Sequence, residues 1–301
     1  MKKVLILGGS GFLGSNLINK LKKKNYKITS ISQKKKIFEK NKNVNYFFLD
    51  TSKFKKLSNF LKKKKFDFVI NCCGNIDHKN KQLTYSAHYL SVKNLIKILN
   101  KKKINLFIQL GSSLEYGNLK SPQAEVLKCR PISIYGRAKF LASSFIRKHY
   151  KNKYIILRPY QIYGPGQKND RLIPFVINSC LKSKKFPCSA GGQLRDFLYV
   201  DDFVNLVLKI FNNFEKINTG IYNIGTKKPH KVKYVIETIQ KITGKGQPQY
   251  GEIKMRKDEI LKLFPKINKL TESIKWQPKT SLVVGLKKTI TYYLRNNENF
   301  A

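Results

Sequence analysis

Acidic residues are scarce in this sequence of 301 residues. Asp and Glu number 17 against 61 Lys and Arg, which gives a formal net charge of +44. Arginine is scarce too, since 53 of those cations are lysines, and clusters such as Lys22–Lys24, Lys62–Lys65 and Lys101–Lys103 follow apolar-periodic segments. There they would face water and complement helix C-terminal dipoles. Nucleic-acid sites usually combine arginine with interleaved aromatic residues, so this composition argues against a nucleic-acid partner.

Long apolar runs are also missing. Runs such as Val4–Leu7 and Phe66–Cys73 fall far short of the roughly 18 residues that span a bilayer. The start, Met1-Lys2-Lys3, passes directly into a short β-like run, without the apolar segment and cleavage site of a signal peptide. We therefore expect a cytoplasmic protein without membrane segments.

Cysteine is sparse and odd in number. The five cysteines are Cys72, Cys73, Cys129, Cys180 and Cys188, and they lack the paired spacing of metal ligands. Neither a disulfide framework nor a zinc site is indicated. We expect buried free thiols and no metal.

Strand-like and helix-like segments alternate from the start of the chain. Val4–Leu7, a helical pattern over Phe12–Leu21 and a second strand at Lys27–Ile31 make a βαβ opening. Further strands are predicted at Val44–Leu49, Phe66–Cys72, Ile104–Leu110 and Tyr154–Leu157. The pattern predicts an α/β fold, a Rossmann-type doubly wound parallel sheet over residues 1–164, with a smaller C-terminal α/β substrate lobe over residues 165–301. We expect some later segments, such as Ile221–Ile224, to return to the first sheet.

Three glycines follow the first predicted strand. Gly8, Gly11 and Gly14, with Phe12 and Leu13 between the last two, stand at the first strand-to-helix turn. There glycines allow a tight turn and close approach of the backbone to a pyrophosphate at the helix N-terminus. The motif predicts a dinucleotide site.

The end of the second strand bears on which dinucleotide binds. An acid there would hydrogen-bond the ribose of NAD, whereas a cation accommodates the phosphate of NADP. The chain has Ser32, Gln33 and Lys34–Lys36 there, with no acid before Glu39, so NADP(H) is favoured over NAD(H). Asp50, after the third strand, is either a partner for the adenine amino group or a helix N-cap.

A Tyr with a Lys four residues later is a candidate catalytic pair, but the spacing occurs four times, at Tyr89, Tyr116, Tyr135 and Tyr250. About three matches are expected by chance in a chain so rich in Lys. Position selects Tyr135 with Lys139, because Tyr135 opens a helical run and lies 23 residues beyond Ser112, which follows a predicted strand. A helix would place the pair on one face.

At these residues the chain resembles the extended short-chain dehydrogenase/reductase family, specifically its nucleotide-sugar epimerases, dehydratases and reductases. The resemblance covers nearly the whole chain and rests on six ordered segments: Gly8–Gly14, Gly111–Gly117, Tyr135–Lys139, Arg158–Gly166, Arg195–Asp202 and Trp276–Pro278.

The resemblance implies roles for matching residues. Tyr135 would exchange a proton with the sugar hydroxyl while hydride moves to or from the nicotinamide. Lys139 would stabilise the phenolate and hold the nicotinamide ribose, and Ser112 would hydrogen-bond the same sugar oxygen.

Further residues are substrate candidates. Arg195 matches the family's diphosphate-binding arginine, and Arg256 is a second candidate, although an ion pair at the surface would also explain it. Ser113 is expected near the substrate, and Arg171 either lines the same pocket as Arg195 or lies on a helix face. His88 stands about where relatives place an active-site Asn, and either touches substrate or is a satisfied helix His. Two acids beyond these, Asp201 and Asp202, are expected to cap a helix at Phe203–Phe211.

Departures from the family pattern narrow the reaction. The 4,6-dehydratases carry an Asp-Glu pair where this chain has Ser113 and Leu114, which disfavours dehydration. With NADPH favoured, we expect a 4-keto reduction of a 4-keto-6-deoxy sugar nucleotide, with an NAD-dependent 4-epimerase as the alternative. A non-catalytic NADP-binding or RNA-associated protein is a further alternative. The resemblance also implies a homodimer.

Overall fold

Strands alternate with helices through this computed structural model, which describes residues 1–33, 41–74, 80–255 and 259–297. The strands are β1 (Lys2–Leu7), β2 (Tyr26–Ser32), β3 (Val44–Phe48), β4 (Phe68–Asn71), β5 (Leu106–Leu110), β6 (Tyr154–Pro159), β7 (Gln161–Tyr163), β8 (Lys185–Cys188), β9 (Leu194–Tyr199), β10 (Gly220–Ile224), β11 (Pro229–Lys231), β12 (Gln247–Tyr250) and β13 (Lys262–Leu263). The α-helices are α1 (Phe12–Leu21), α2 (Phe54–Leu61), α3 (Lys81–Tyr85), α4 (Ser91–Leu99), α5 (Ile134–His149), α6 (Leu172–Leu181), α7 (Val200–Asn212), α8 (Val232–Thr243), α9 (Asn268–Ile274) and α10 (Leu282–Asn297).

The central sheet has seven strands in the order β10-β6-β5-β4-β1-β2-β3. Every neighbouring pair in it is parallel. From the neighbouring strands β1 and β4 the sheet extends in both directions, through β2 and β3 on one side and through β5, β6 and β10 on the other. This is the doubly wound arrangement. The predicted Rossmann-type α/β fold is thereby confirmed.

Both faces of the sheet are buried, and alternate side chains of each strand serve the two faces. Val4 and Ile6 of β1 join the apolar cluster that contains α1 and α7, whereas Leu5 and Leu7 join the cluster that contains α2, α4 and α5. The near-continuous apolar strands of the sequence follow from this double coverage.

A π-helical turn joins α3 to α4. It spans Ser86–Leu90 and carries His88. Such turns within α-helices are frequent at functional sites, and here the turn lies against α5.

The C-terminal part of the chain adds smaller sheets. Strand β9 pairs with β7 and β13 in parallel and with β11 in antiparallel fashion, while β8 pairs with β12. Strand β10 returns to the central sheet beside β6, as expected for Ile221–Ile224. One apolar cluster continues from the central sheet into α6, α8 and α10. No described helix combines the length and hydropathy needed to cross a bilayer.

The prediction that Asp201 and Asp202 cap the following helix was wrong. Helix α7 begins at Val200, its N-cap is Tyr199, and no side chain caps it. Asp202 is buried and instead accepts hydrogen bonds from the backbone amides of Lys279 and Thr280, at 3.1 and 2.9 Å. The helix starts earlier than expected because the apolar Val200 belongs to its buried face.

Candidate active site

The glycine turn closes tightly over the carboxyl ends of the central strands. The Gly8 amide donates to the Ile31 carbonyl at 2.7 Å, and the Gly11 amide donates to the Gly8 carbonyl at 3.0 Å. Gly8 has a φ of +80°, and a Cβ there would lie 2.7 Å from the Cys72 carbonyl carbon. A Cβ on Gly14 would lie 2.3 Å from the Gly8 oxygen. Both positions therefore require glycine.

The N-terminus of α1 opens on this turn. Gly11 is its N-cap, no side chain caps it, and its first residues are Phe12 and Leu13. Ser32, at the end of β2, accepts a hydrogen bond from the Ser10 amide at 2.9 Å. Ser32 thus holds the turn, and the helix presents backbone amides that suit a phosphate.

Asp50 and Lys34 are the other residues predicted to contact the cofactor. Asp50 accepts from the Ser52 amide at 2.9 Å and from its hydroxyl at 2.7 Å, but the N-cap of α2 is Lys53. Asp50 therefore shapes the turn before α2 without capping it. Lys34 lies outside the described residues.

Ser112 lies just beyond β5 and begins a 3₁₀ turn, Ser113–Glu115. Its hydroxyl oxygen accepts from the Leu114 amide at 3.1 Å, while the Glu115 carboxylate accepts from the Ser112 amide at 2.9 Å. This reciprocal capping box fixes both the backbone and the side chain of Ser112.

Tyr135 stands in the first turn of α5, which docks on the Ser112 turn. The Ser133 hydroxyl caps the helix by accepting from the Gly136 amide at 3.0 Å. A Cβ on Gly136 would lie 2.4 Å from the Leu114 carbonyl oxygen, so only glycine permits this contact. The buried His88 ring meets the Tyr135 ring edge-on, with centroids 4.8 Å apart.

Lys139 is buried one turn further along α5. Its ammonium donates to the Leu110 carbonyl at 2.7 Å and lies 5.8 Å from the centroid of the Tyr135 ring. Leu110 is two residues before Ser112. The fold therefore brings Ser112, Tyr135 and Lys139 to the carboxyl end of β5, at the same edge of the parallel sheet as the glycine turn that follows β1.

A cavity of about 370 Å³ lies between α6, α8, β8 and β9. Its lining includes Gln167, Arg171, Phe175, Gln193, Arg195 and Ile253. Arg195 is buried, pairs with Glu259 and donates to the Leu194 carbonyl at 2.8 Å. Ser112, Tyr135 and Lys139 do not line this cavity.

Arg171 and Ser113, also predicted near the substrate, have different surroundings. The side chain of Arg171 is 40% exposed at the edge of the cavity and lies 3.7 Å from the Asp170 carboxylate. Ser113 is buried in the 3₁₀ turn. Arg256 lies outside the described residues.

Sequence reasoning gave no role to the pair Glu115 and Arg158. Arg158 directly follows the apolar run Ile155–Leu157 of β6 and pairs with Glu115 at 2.8 Å, both fully buried. The available signal was a cation within a buried strand, which requires a buried partner.

Comparison with protein families matches residues 4–225 to a model described as the NAD dependent epimerase/dehydratase family. Among similar proteins, CDP-abequose synthase of Salmonella muenchen is 27% identical, over 96% of this chain and 97% of that protein. A putative UDP-glucose 4-epimerase of Methanocaldococcus jannaschii is 28% identical, over 98% and 99%.

Solved structures share the fold over almost the whole chain. UDP-glucose 4-epimerase of Thermotoga maritima, with UDP-glucose, has a TM-score of 0.91 at 24% identity, covering 98% of this chain and 99% of that chain. UDP-glucuronic acid 4-epimerase of Bacillus cereus, with UDP-glucuronic acid and NAD, has a TM-score of 0.89 at 24% identity and the same coverage.

Proposed function

This chain belongs to the NAD-dependent epimerase/dehydratase family, and from that premise we propose that it reduces the 4-keto group of a 4-keto-6-deoxy sugar nucleotide. The observation that carries the proposal is the convergence of Ser112, Tyr135 and Lys139 at the edge of the sheet where the glycine turn leads into the uncapped N-terminus of α1. A hydroxyl, a phenol and an ammonium in this arrangement can hydrogen-bond to a carbonyl or carbinol oxygen and exchange a proton with it while a nicotinamide exchanges hydride with the carbon.

The glycine turn fits a dinucleotide. The backbone at Gly8 and Gly14 leaves no space for a Cβ, and α1 begins without a side-chain cap. Phe12 and Leu13 would hold the pyrophosphate through their amides, Lys139 would hold the nicotinamide ribose, and Asp50 would face the adenine end. When bound, the dinucleotide supplies or accepts the hydride.

The protein side chains then handle the proton. For reduction, the Tyr135 phenol gives its proton to the carbonyl oxygen as the carbonyl carbon receives hydride. Ser112 donates a hydrogen bond to the same oxygen and stabilises the charge that develops there. Lys139 stabilises the phenolate left on Tyr135, whose ring is already braced by His88.

Dehydration is disfavoured by the Ser112 turn. Leu114 packs on the apolar cluster of Tyr160, Ile260 and Leu263, and Ser113 is buried. The carboxylate of that turn, Glu115, is bound by Arg158 and by the Ser112 amide. It is therefore unsuited to remove a sugar proton.

The second candidate function is a nucleotide-sugar 4-epimerase. The likeness to the putative UDP-glucose 4-epimerase of M. jannaschii favours it. The two reactions use the same three side chains and differ in whether the dinucleotide exchanges between turnovers.

For the sugar nucleotide we propose the cavity between α6, α8, β8 and β9. Arg195 would bind the diphosphate, with Arg171 and Arg256 as further phosphate contacts and His88 and Ser113 nearer the sugar. In this division residues 1–164 bind the dinucleotide and residues 165–301 mainly the substrate. We also propose a homodimer and a cytoplasmic location, the latter supported by five free cysteines.

The test gives purified protein a panel of 4-keto-6-deoxy sugar nucleotides with NADPH or NADH. Falling absorbance at 340 nm with a product reduced at C4 supports the reductase. Conversion of a sugar nucleotide into its C4 epimer, without net cofactor use, supports the epimerase. Absence of both activities across all bases contradicts the proposed function.

The same assay decides the cofactor. We propose a preference for NADP(H), supported by the lysines that follow β2. A kcat/KM ratio of about ten or more in favour of NADPH is the expected result, because a phosphate–cation contact gives about 1.5–3 kcal/mol. A ratio favouring NADH contradicts this preference.

A further inference from the structure

The pair Glu115 and Arg158 is almost completely withdrawn from solvent. Glu115 is 0% exposed and Arg158 is 2% exposed. Two of the guanidinium nitrogens, Nε and Nη2, donate to one carboxylate oxygen, Oε2, at 3.1 and 2.8 Å. Removing two charges from water costs about as much as their attraction returns, so stability alone is a weak reason for the pair.

The other carboxylate oxygen points to the active site. Oε1 of Glu115 accepts from the Ser112 backbone amide at 2.9 Å. A continuous connection thus runs from β6, which lies between β10 and β5 in the central sheet, through Arg158 and Glu115 to Ser112. The sheet fixes Arg158, and Arg158 fixes the carboxylate.

The Ser112 hydroxyl is oriented by the same turn. Its oxygen accepts from the Leu114 amide at 3.1 Å. A serine hydroxyl has one proton and two acceptor positions, so this contact uses an acceptor position and leaves the proton for another oxygen. The orientation suits a donor to substrate.

Gly111 shows how closely the carboxylate is seated. A Cβ on Gly111 would lie 2.5 Å from Glu115 Oε1 and 3.3 Å from Arg158 Cγ. The residue before Ser112 therefore lacks a side chain where the carboxylate lies.

We propose that Glu115, held by Arg158, is a positioning residue that sets how Ser112 presents its hydroxyl to the substrate oxygen. The proposal rests on the proposed function. It assigns no contact with substrate to Glu115 or Arg158, which act through Ser112.

A double-mutant cycle separates this role from a purely structural one. The variant Glu115→Leu with Arg158→Leu removes both charges, so that no buried ion is left alone. We expect kcat to fall about 10- to 100-fold, because one misplaced donor is lost from the charged transition state, with KM and cofactor Kd within about twofold. In a Ser112→Ala background the same pair of changes should cost nothing more. An equal loss in both backgrounds, or no loss in either, overturns the proposal.

A second variant keeps both charges. Gly111→Ala should displace the carboxylate and lower kcat in the same way, again only when Ser112 is present. Its matched control is Gly192→Ala, since a Cβ at Gly192 has no atom within 4 Å. If the Gly111→Ala variant is folded and its kcat is unchanged, the proposal is contradicted, even if the double variant does not fold.

Amide hydrogen exchange gives a readout that needs no activity. The peptide covering residues 111–117 should exchange at least about tenfold faster in the Glu115→Leu, Arg158→Leu variant, because the Ser112 amide loses its acceptor. Glu115→Gln, which keeps an acceptor at that position, should exchange more slowly than the double variant. Unchanged exchange in the double variant refutes the positioning role. Absence of turnover in the wild-type protein instead refutes the proposed function.

Discussion

Two tyrosines that share the same spacing to a lysine have different surroundings. Tyr135 lies between His88 and Lys139 at the end of β5. Tyr89 packs its ring among Tyr85 and Phe145, with centroids 5.0 and 6.1 Å away. The surroundings, which the spacing does not encode, make only one of them a candidate acid.

Tyr135→Phe should therefore lower kcat by about 10²- to 10⁴-fold, the usual contribution of a general acid. Cofactor affinity should be unchanged, since the phenol oxygen is the only atom lost. Tyr89→Phe is the matched control and should stay within twofold. Steady-state turnover and cofactor titration by fluorescence measure both effects, and retained turnover in Tyr135→Phe contradicts the assignment.

The glycines of the turn allow a second comparison. A Cβ on Gly14 meets backbone atoms at 2.3 Å, whereas a Cβ on Gly11 has its nearest neighbour, the Gly8 oxygen, at 3.3 Å. Gly14→Ala should lower the free energy of unfolding by about 2 kcal/mol or more through overpacking. Gly11→Ala should cost about 1 kcal/mol or less yet weaken dinucleotide binding at least tenfold, because its methyl group would stand at the N-terminus of α1, where we propose that the pyrophosphate binds. Denaturant melts and cofactor titration test the pair, and equal effects on stability are the contrary result.

At the scale of elements, Asp202 connects α7 to the segment that leads into α10. It is buried and accepts two backbone hydrogen bonds, from Lys279 and Thr280. Asp201, beside it in the same first turn, is exposed. Both carboxylates interact with the dipole of α7, but only Asp202 makes these tertiary hydrogen bonds. Comparing variants of the two residues therefore separates the two effects.

Asp202→Ala should lower the free energy of unfolding by about 2–4 kcal/mol, because two buried amides lose a charged acceptor. Asp201→Ala should cost less than about 1 kcal/mol, the value of an acid at a helix N-terminus. Urea melts of both variants give the comparison. Similar losses would mean that Asp202 acts only on the helix dipole.

Across the whole molecule, parallel topology gathers lysines at one end. The clusters Lys22–Lys24, Lys62–Lys65 and Lys101–Lys103 follow α1, α2 and α4, whose C-termini lie at the edge of the sheet opposite the glycine turn. We call these three clusters the basic end. The Lys102 ammonium donates to the carbonyls of Lys62 and Lys64 at 3.2 and 3.0 Å, and burial lowers the pKa of Lys102. Within the described residues, no ion pair includes a lysine of the basic end.

Salt should consequently stabilise this protein. Raising NaCl from about 20 to 300 mM shortens the screening length from about 20 Å to below 8 Å, which weakens repulsion within the basic end. We expect the melting temperature to rise by several degrees, equivalent to about 1–2 kcal/mol. Replacing Lys24, Lys63, Lys65 and Lys103 with Gln should raise the melting temperature at low salt and reduce this dependence.

The matched control replaces four exposed lysines elsewhere, Lys182, Lys184, Lys241 and Lys245, with Gln. This control lowers the net charge by the same amount as the first quadruple variant, so it measures how the overall charge of +44 affects the melting temperature. An identical response from the two quadruple variants would show that the basic end is no more strained than the rest of the surface. Thermal melts followed by circular dichroism measure it.

The class of fold and the position of the glycine turn follow from the sequence alone. Strands such as Val4–Leu7 are apolar on both faces because helices cover both, and Gly8 and Gly14 are required where backbone meets backbone. These are local demands, so they leave a local pattern that can be read without a structure.

Which residues far apart in the chain come into contact is seen only in the folded structure. Glu115 and Arg158 lie 43 positions apart, and Asp202 reaches Thr280 across 78. Contacts of this kind depend on strand order and on complementary packing. Neither of these produces a periodic pattern of residues in the sequence. For that reason Ser112 could be identified as a candidate catalytic residue from the sequence, whereas its contact with Glu115, which Arg158 binds, is seen only in the structure.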